Sequence, residues 1–374
     1  MDSGAVVTPP YVAGPLRLRP FRGLMLAANR IGDPASTRAF ARPYRDVADR
    51  LSGWEKRGQV HHDESPAVYL HEYTAGGITI RGLVGTLDIS HPARTRNERA
   101  IYPHEGVHPE QAAELAERMA EMQMNPAPIL LVHRGTAAVR PVLDRVLATK
   151  PDHEFTDRAQ QQHRVWAIRD TGELAALDAA LAGSRALIAD GHHRYAAYLD
   201  LQQRGPGGPN DLGLAMLVDQ DDTPLFLGAI HRVLVGPCLD DLEAAARATG
   251  ATFRTCAADD AVAALGPSTL VATDGERWAT LELRIPGGRA AIEVLHDSLV
   301  PALPVQPTRI THHHAVDGAL TTVARASGVA VLLPAPDFDL VLRIVAADRL
   351  LPEKATSFQP KPSVGVLIRS LRDG

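Results

Sequence analysis

The stretch Ala186-Leu187-Ile188-Ala189-Asp190-Gly191-His192-His193-Arg194-Tyr195 constrains the fold more than any other part of the chain. A short apolar run stops at Asp-Gly, and a helix-compatible segment follows from about Tyr195 to Arg204. That order spells strand, tight turn and helix start. A helix start leaves backbone N–H groups unpaired and carries a positive dipole end, so it attracts anions. Gly191 lets the backbone approach a ligand with no Cβ in the way. Asp190, His192, His193 and Arg194 crowd this one turn. A turn so rich in ionisable groups points to a functional site. The plain alternative is an Asp-Gly turn with solvated histidines.

Around that turn the chain mixes strands and helices without strict alternation. Val68–Tyr73 and Ile78–Leu87 read as strands joined across Gly76-Gly77. A helix is predicted from Pro109, where Ala112, Leu115, Ala116, Met119 and Met122 recur at helical spacing. Further strands are predicted at 128–133, 165–168, 212–218, 225–235 and near Leu270, Trp278 and Ala291. A helical stretch is expected from Arg42 towards Trp54, and others at 239–249, near Asp260, at 315–326 and at 336–350. The class is α/β, with α+β as the variant: a mixed sheet with flanking helices. Residues 1–15 read as a loose N-terminus, 16–236 as an α/β domain, and 237–374 as a second α/β region whose end returns to the site.

Of 374 residues, 45% are hydrophobic and 22% charged, enough for two domains or one large one. The net charge of −5, with no long Lys/Arg run, argues against a nucleic-acid surface. Cys238 and Cys256 make neither a disulfide framework nor a Cys-rich zinc site, which fits a reducing cytoplasm. The N-terminus has no basic, apolar leader pattern, and no apolar run reaches ~18 residues, so neither a signal peptide nor a membrane span is expected. Oligomeric state is not encoded in any of these features.

The 190–194 turn holds parts for phosphoryl transfer. Arg194 can grip a phosphate with two bonds, and helix-start amides complete the cradle. Asp190 can orient or deprotonate a hydroxyl or help hold a metal, and His192 or His193 can donate to a phosphate oxygen. No Gly-Lys-Ser/Thr follows and no His-Glu-x-x-His exists, which excludes a Walker loop and a zincin. His104-Glu105, ahead of the Pro109 helix, offers a second carboxylate as base or Mg²⁺ ligand, against a reading as solvated loop. Lys354, Thr356 and Lys361 sit in a proline-limited segment that suits phosphate, although loop lysines are more often merely solvated. His312 and His314 share one face of a strand and could chelate. Only Asp317 stands near to help, so a surface run is preferred and the metal is left open.

Four motifs in this order resemble the bacterial domain of unknown function 1015 family, from about residue 16 to the end. They are Arg19-Pro20-Phe21-Arg22-Gly23, Tyr102-Pro103-His104-Glu105, Ile188-Ala189-Asp190-Gly191-His192-His193-Arg194 and Leu351-Pro352-Glu353-Lys354-Ala355-Thr356-Ser357-Phe358-Gln359-Pro360-Lys361. Ala355-Thr356 and Gln359 depart from the Ser-Thr and Tyr usual in that family. The Asp-Gly-His-His-Arg turn is also similar to the core motif of ParB/sulfiredoxin-like proteins, whose strand-turn-helix binds nucleotide phosphates. Free-serine kinases of that superfamily carry a near-identical Asp-Gly-His-His-Arg-Tyr.

The resemblance implies a cytoplasmic, nucleotide-dependent small-molecule phosphotransferase, most concretely one like a free L-serine kinase, with ATP or ADP and Mg²⁺. Asp190 and Glu105 would be its acids, and His192, His193 and Arg194 would hold the transferring phosphate. Gly191, His104, Lys354, Thr356 and Lys361 would complete the nucleotide site. A phosphoserine phosphatase using the same parts in reverse, or a non-enzymatic nucleotide-binding ParB-like regulator, are the alternatives.

Overall fold

In the computed structural model, residues 6–34, 36 and 47–373 are described. They fall into two compact units: residues up to 225 together with 360–373, and residues 226–359. The chain is α/β with a large mixed sheet and flanking helices, as its pattern predicts.

The first unit is built on a ten-stranded sheet. Its strands are β1 (Val12–Ala13), β2 (Leu18–Arg19), β5 (Val68–Ala75), β6 (Ile78–Asp88), β7 (Arg99–Tyr102), β9 (Ile129–His133), β10 (His153–Thr156), β11 (Gln162–Ile168), β12 (Ala186–Asp190) and β13 (Leu212–Asp219). The order is β1-β7-β12-β9-β13-β6-β5-β11-β10, with β2 on β6. Three short strands, β3 (Gly23–Leu26), β4 (Val60–His62) and β8 (Met124–Asn125), join the closing strand Ile368–Ser370 in a smaller sheet.

The β5–β6 hairpin closes on Gly76 and Gly77, at φ 58° and 80°. Two consecutive positive φ angles make the tight turn whose twist matches the flanking strands, which is why two glycines stand there. Central strands β9 and β12 are buried on both faces, so they read as unbroken apolar runs rather than alternating ones.

Among the described residues the helices of this unit are α1 (Val47–Lys56), α2 (Pro109–Met122), α3 (Arg140–Leu147), α4 (Thr171–Leu181) and α5 (His192–Arg204). In α2, Pro109 takes the first turn, where its missing N–H costs nothing, and Ala112, Ala116, Met119 and Met122 form the buried stripe. The Asp170 side chain accepts from Glu173 N at 2.9 Å and caps α4. α5 is anchored by two buried tyrosines. The Tyr195 hydroxyl donates to Pro10 O at 2.6 Å and the Tyr198 hydroxyl to Ala127 O at 3.1 Å. Gly213 makes room for the Tyr198 ring, because a Cβ there would sit 2.6 Å from it. Among the described residues, no helix is long and apolar enough to cross a membrane.

The second unit carries a six-stranded antiparallel sheet, in the order Thr252–Cys256, Trp278–Glu282, Thr269–Thr273, Gly328–Leu332, His231–Val235, Arg309–His313. Helices Leu239–Thr249, Ala258–Ala263, Val316–Arg325 and Phe338–Ala346 accompany it.

Three expectations change. The N-terminal segment is tied down from Val7 onward: Val7 pairs with Val107, and Val12, buried, pairs with Ile101 on β7. Its small residues hid an edge strand. The strand predicted at Ala291 is a helical segment, Ala291–Val294, continued by 295–299. Residues 290–295 are buried throughout, so no polar face marked the period; Glu293 accepts from Ala290 N at 2.7 Å and starts the helix. The run 225–235 breaks into two strands, 226–228 and 231–235, which pair in different sheets. Of the stretch expected to become helical towards Trp54, residues 42–46 lie outside the described residues.

Candidate functional site

Strand β12 enters the sheet between β7, which runs parallel to it, and β9, which runs antiparallel. A register shift between Ile188 and Asp190 skips Ala189 and sets Asp190 opposite Leu130, the last pair of β12 on β9. Gly191 then takes φ 94° and ψ 29°, and α5 starts at His192. A Cβ on Gly191 would lie 2.9 Å from Arg194 Nε, so the turn and the Arg194 side chain both depend on glycine. Gly191→Ala is therefore expected to destabilise the protein by about 1–2 kcal/mol, since an L-residue in left-handed backbone carries that cost. Urea denaturation checks it, and unchanged stability would show that the turn relaxes freely.

Asp190 sits between two cations. Oδ2 accepts from Arg194 Nη2 at 2.7 Å, one helical turn on, and Oδ1 pairs with Lys361 Nζ. Burial pushes the Asp190 carboxyl up, but Arg194 and Lys361 outweigh it and the net shift is downward. Asp190 is thus a firm carboxylate at neutral pH. Lys361 arrives from the far end of the chain. Its segment is fastened by the Tyr73 hydroxyl donating to Pro360 O at 2.6 Å, by Gln161 Nε2 donating to Lys361 O at 3.1 Å, and by Ser363 N donating to Gln161 Oε1 at 3.2 Å.

Between this strap and the sheet lies a cavity of about 120 Å³. Asp190, Arg194 and Lys361 line it, with Val84, Leu130, Ala127 and Pro128 on the sheet side and Ser363 and Val364 on the strap. His71, on β5, lines it too.

His192 and His193 stand behind Asp190. Nε2 of His192 accepts from His104 N at 3.3 Å, and Nε2 of His193 from His108 N at 3.1 Å. Both rings spend their Nε2 lone pair on the 104–108 backbone, which leaves Nδ1 as the donor on each. Burial, and then the neighbouring His104 ring, hold the His192 imidazole at about 3, so it is neutral. His104 is fully buried against His192, ring centroids 4.6 Å apart, and Nε2 lies 3.6 Å from Glu105 Oε1. The two histidines thereby fix the loop that carries Glu105.

Asp190, Gly191, Arg194 and Lys361 thus form one cluster, while His192, His193, His104 and Glu105 form the wall beside it. Lys354 and Thr356 belong to the second unit. There Lys354 takes φ 57°, and the carbonyls of Glu353 and Lys354 accept from the buried Arg232 at 2.9 and 3.0 Å.

Sequence reasoning missed a buried relay. Asp157 Oδ2 lies 3.1 Å from His163 Nε2, and His163 Nδ1 lies 3.0 Å from His71 Nε2. The three residues come from β5, β11 and the turn before β11, and no spacing in the chain links them.

As for metal, no group of three or more His, Cys, Asp or Glu side chains among the described residues could hold an ion. Both oxygens of Asp190 are already engaged. A protein-built Mg²⁺ cage does not fit this donor set.

A family model described as "Protein of unknown function (DUF1015)" matches residues 17–306. No curated protein matches the chain. Among solved structures, a conserved hypothetical protein from Pyrococcus furiosus is similar at 15% identity and TM-score 0.40, over 74% of this chain and 94% of that one. A free serine kinase variant in complex with ADP is similar at 15% identity and TM-score 0.40, over 72% and 89%. SbnI with a C-terminal truncation, from Staphylococcus aureus, is similar at 12% identity and TM-score 0.42, over 72% and 84%.

Proposed function

Because this chain belongs to the DUF1015 family and carries that family's Asp-Gly-His-His-Arg turn, we propose that it is a nucleotide-dependent phosphotransferase acting on a small hydroxyl compound in the cytoplasm. One observation carries the reading: a single carboxylate, Asp190, is bracketed by Arg194 and Lys361 on the wall of a cavity at a helix start.

The arrangement works as an exchange of partners. A nucleotide phosphate entering the cavity offers Arg194 and Lys361 a better-charged acceptor than Asp190, and the α5 amides add to the attraction. Asp190, released, accepts a hydrogen bond from the hydroxyl of the acceptor and aims its oxygen at the phosphorus. Its low pKa suits this role. In a loose phosphoryl-transfer transition state the hydroxyl keeps its proton until late, so orientation counts for more than basicity. The bond from the terminal phosphorus to the bridging oxygen breaks, the bond to the acceptor oxygen forms, and the shorter nucleotide leaves. Glu105, held beside His104, is the second acid and takes the proton.

L-Serine is the acceptor to try first, because Asp190-Gly191-His192-His193-Arg194-Tyr195 resembles the turn of the free-serine kinases. The protein is incubated with L-serine, Mg²⁺ and either ATP or ADP, and the products are read by phosphorus NMR. A phosphoserine signal that requires nucleotide is expected. Phosphate released from phosphoserine without nucleotide would identify a phosphatase instead. No transfer to serine or to any of a panel of small alcohols would end the phosphotransferase reading.

A further inference from the structure

The cavity has two polar ends. Asp190 and His71 both line it, yet β12 and β5 are separated by β9, β13 and β6. Four strand spacings of ~4.8 Å put them roughly 19 Å apart along the sheet, before its curl is counted. One small group cannot touch both. Between them the lining is apolar: Val84, Leu130, Ala127 and Pro128 below, and Val364 and Val366 above. A ligand laid along this lining, only partly enclosed by its 120 Å³, is anionic at the Arg194–Lys361 end, apolar in the middle and polar at its far edge.

What the far edge must offer follows from the relay. Asp157 is buried, and its other oxygen, Oδ1, accepts from Gln161 N at 2.9 Å. As a carboxylate it only accepts, so His163 Nε2 carries the hydrogen. Burial holds both His163 and His71 below their ordinary range, so both rings are neutral at pH 7. A neutral His163 that donates from Nε2 must accept at Nδ1, so His71 donates from Nε2. That leaves Nδ1 of His71 as an acceptor, and no hydrogen bond reaches it from the described residues. His71 itself is 2% exposed and lines the cavity, so a ligand is the partner this atom can find there.

We infer that His71 is a base-recognition residue: its Nδ1 accepts a hydrogen bond from the edge of a nucleobase that carries an amino group. His163 and Asp157 are positioning residues that lock the tautomer. The inference rests on the nucleotide reading above and deepens it, since it selects an amino-edged purine over its oxo counterpart. An oxo group would set one lone pair against another, and a buried acceptor without a donor is costly.

The test is calorimetric titration of the intact protein with ADP and with inosine diphosphate, which differ in this edge. The unmodified protein should bind ADP at least ~10-fold tighter, as expected for one satisfied against one opposed hydrogen bond. His71→Leu should reduce ADP affinity to that of inosine diphosphate. His71→Asn, which carries an acceptor near the position of Nδ1, should recover part of the preference. Nitrogen NMR of labelled histidine should show an unprotonated Nδ1 on His71, lost in His163→Phe. Equal binding of the two nucleotides, or a protonated Nδ1, would overturn the inference and leave the phosphotransferase reading standing. Binding of neither nucleotide would overturn both. The comparison on the unmodified protein needs no variant to fold.

Discussion

Asp190→Asn is expected to lower kcat at least ~10²-fold, about 2.7 kcal/mol of transition-state stabilisation, while the nucleotide Kd stays level or falls. The asymmetry comes from the two ion pairs. In the ligand-free protein Arg194 and Lys361 are spent on Asp190. An amide of the same shape competes weakly for them, so a phosphate meets two cations already available. The acceptor hydroxyl, by contrast, loses its charged partner. A merely structural Asp190 would give the opposite split: nucleotide affinity would fall because the cations drift, and kcat at saturation would hold. Steady-state kinetics with nucleotide and acceptor varied separately, alongside direct titration of nucleotide, tells the two apart.

The Asp190 turn was legible because its signals are local. Strand, glycine at positive φ and helix start occupy consecutive positions, and the chemistry sits on them. Lys361 was legible only as a basic residue in a proline-limited segment. Its partner stands 171 positions away, and nothing in the sequence distinguishes it from Lys354, which lies in the other unit. The histidines show the opposite limit. Residue type suggested that His192 and His193 grip phosphate through their rings. The structure spends their Nε2 atoms on the amides of His104 and His108. Which nitrogen of an imidazole is occupied depends on a loop 85 or more positions earlier, which periodicity does not reveal. His71 was hidden most completely. It stands in a strand with buried neighbours, as a packing residue would. Its relay partners join it through the register of β5 on β11, which pairs Tyr73 with His163 and brings His71 alongside.

Acid should unfold the first unit well above the pH at which ordinary carboxylates titrate. His192 is held near 3 by burial and by His104, against a value of 6.5 in the unfolded chain. Between these values the unfolded chain binds a proton that the folded one refuses, so stability rises with pH and is lost as pH falls from 6.5. Each unit of pH below 6.5 costs about 1.4 kcal/mol from this ring alone, or about 2 kcal/mol by pH 5. His71 and His163 are lowered too and steepen the fall. Asp190, whose folded carboxyl is also lowered, contributes stability above the ordinary carboxylate range and loses it only at still lower pH. The check is urea denaturation between pH 7 and 5, followed by tryptophan fluorescence. Trp54 and Trp166 belong to the first unit and Trp278 to the second, so Trp278→Phe confines the signal to the unit in question. His192→Asn keeps a polar group for the His104 amide but binds no proton in this window. It should flatten the pH dependence by about 1.4 kcal/mol per unit. An unchanged slope would mean that His192 opens to solvent before the unit unfolds, and that the 104–108 loop is held by something other than these rings.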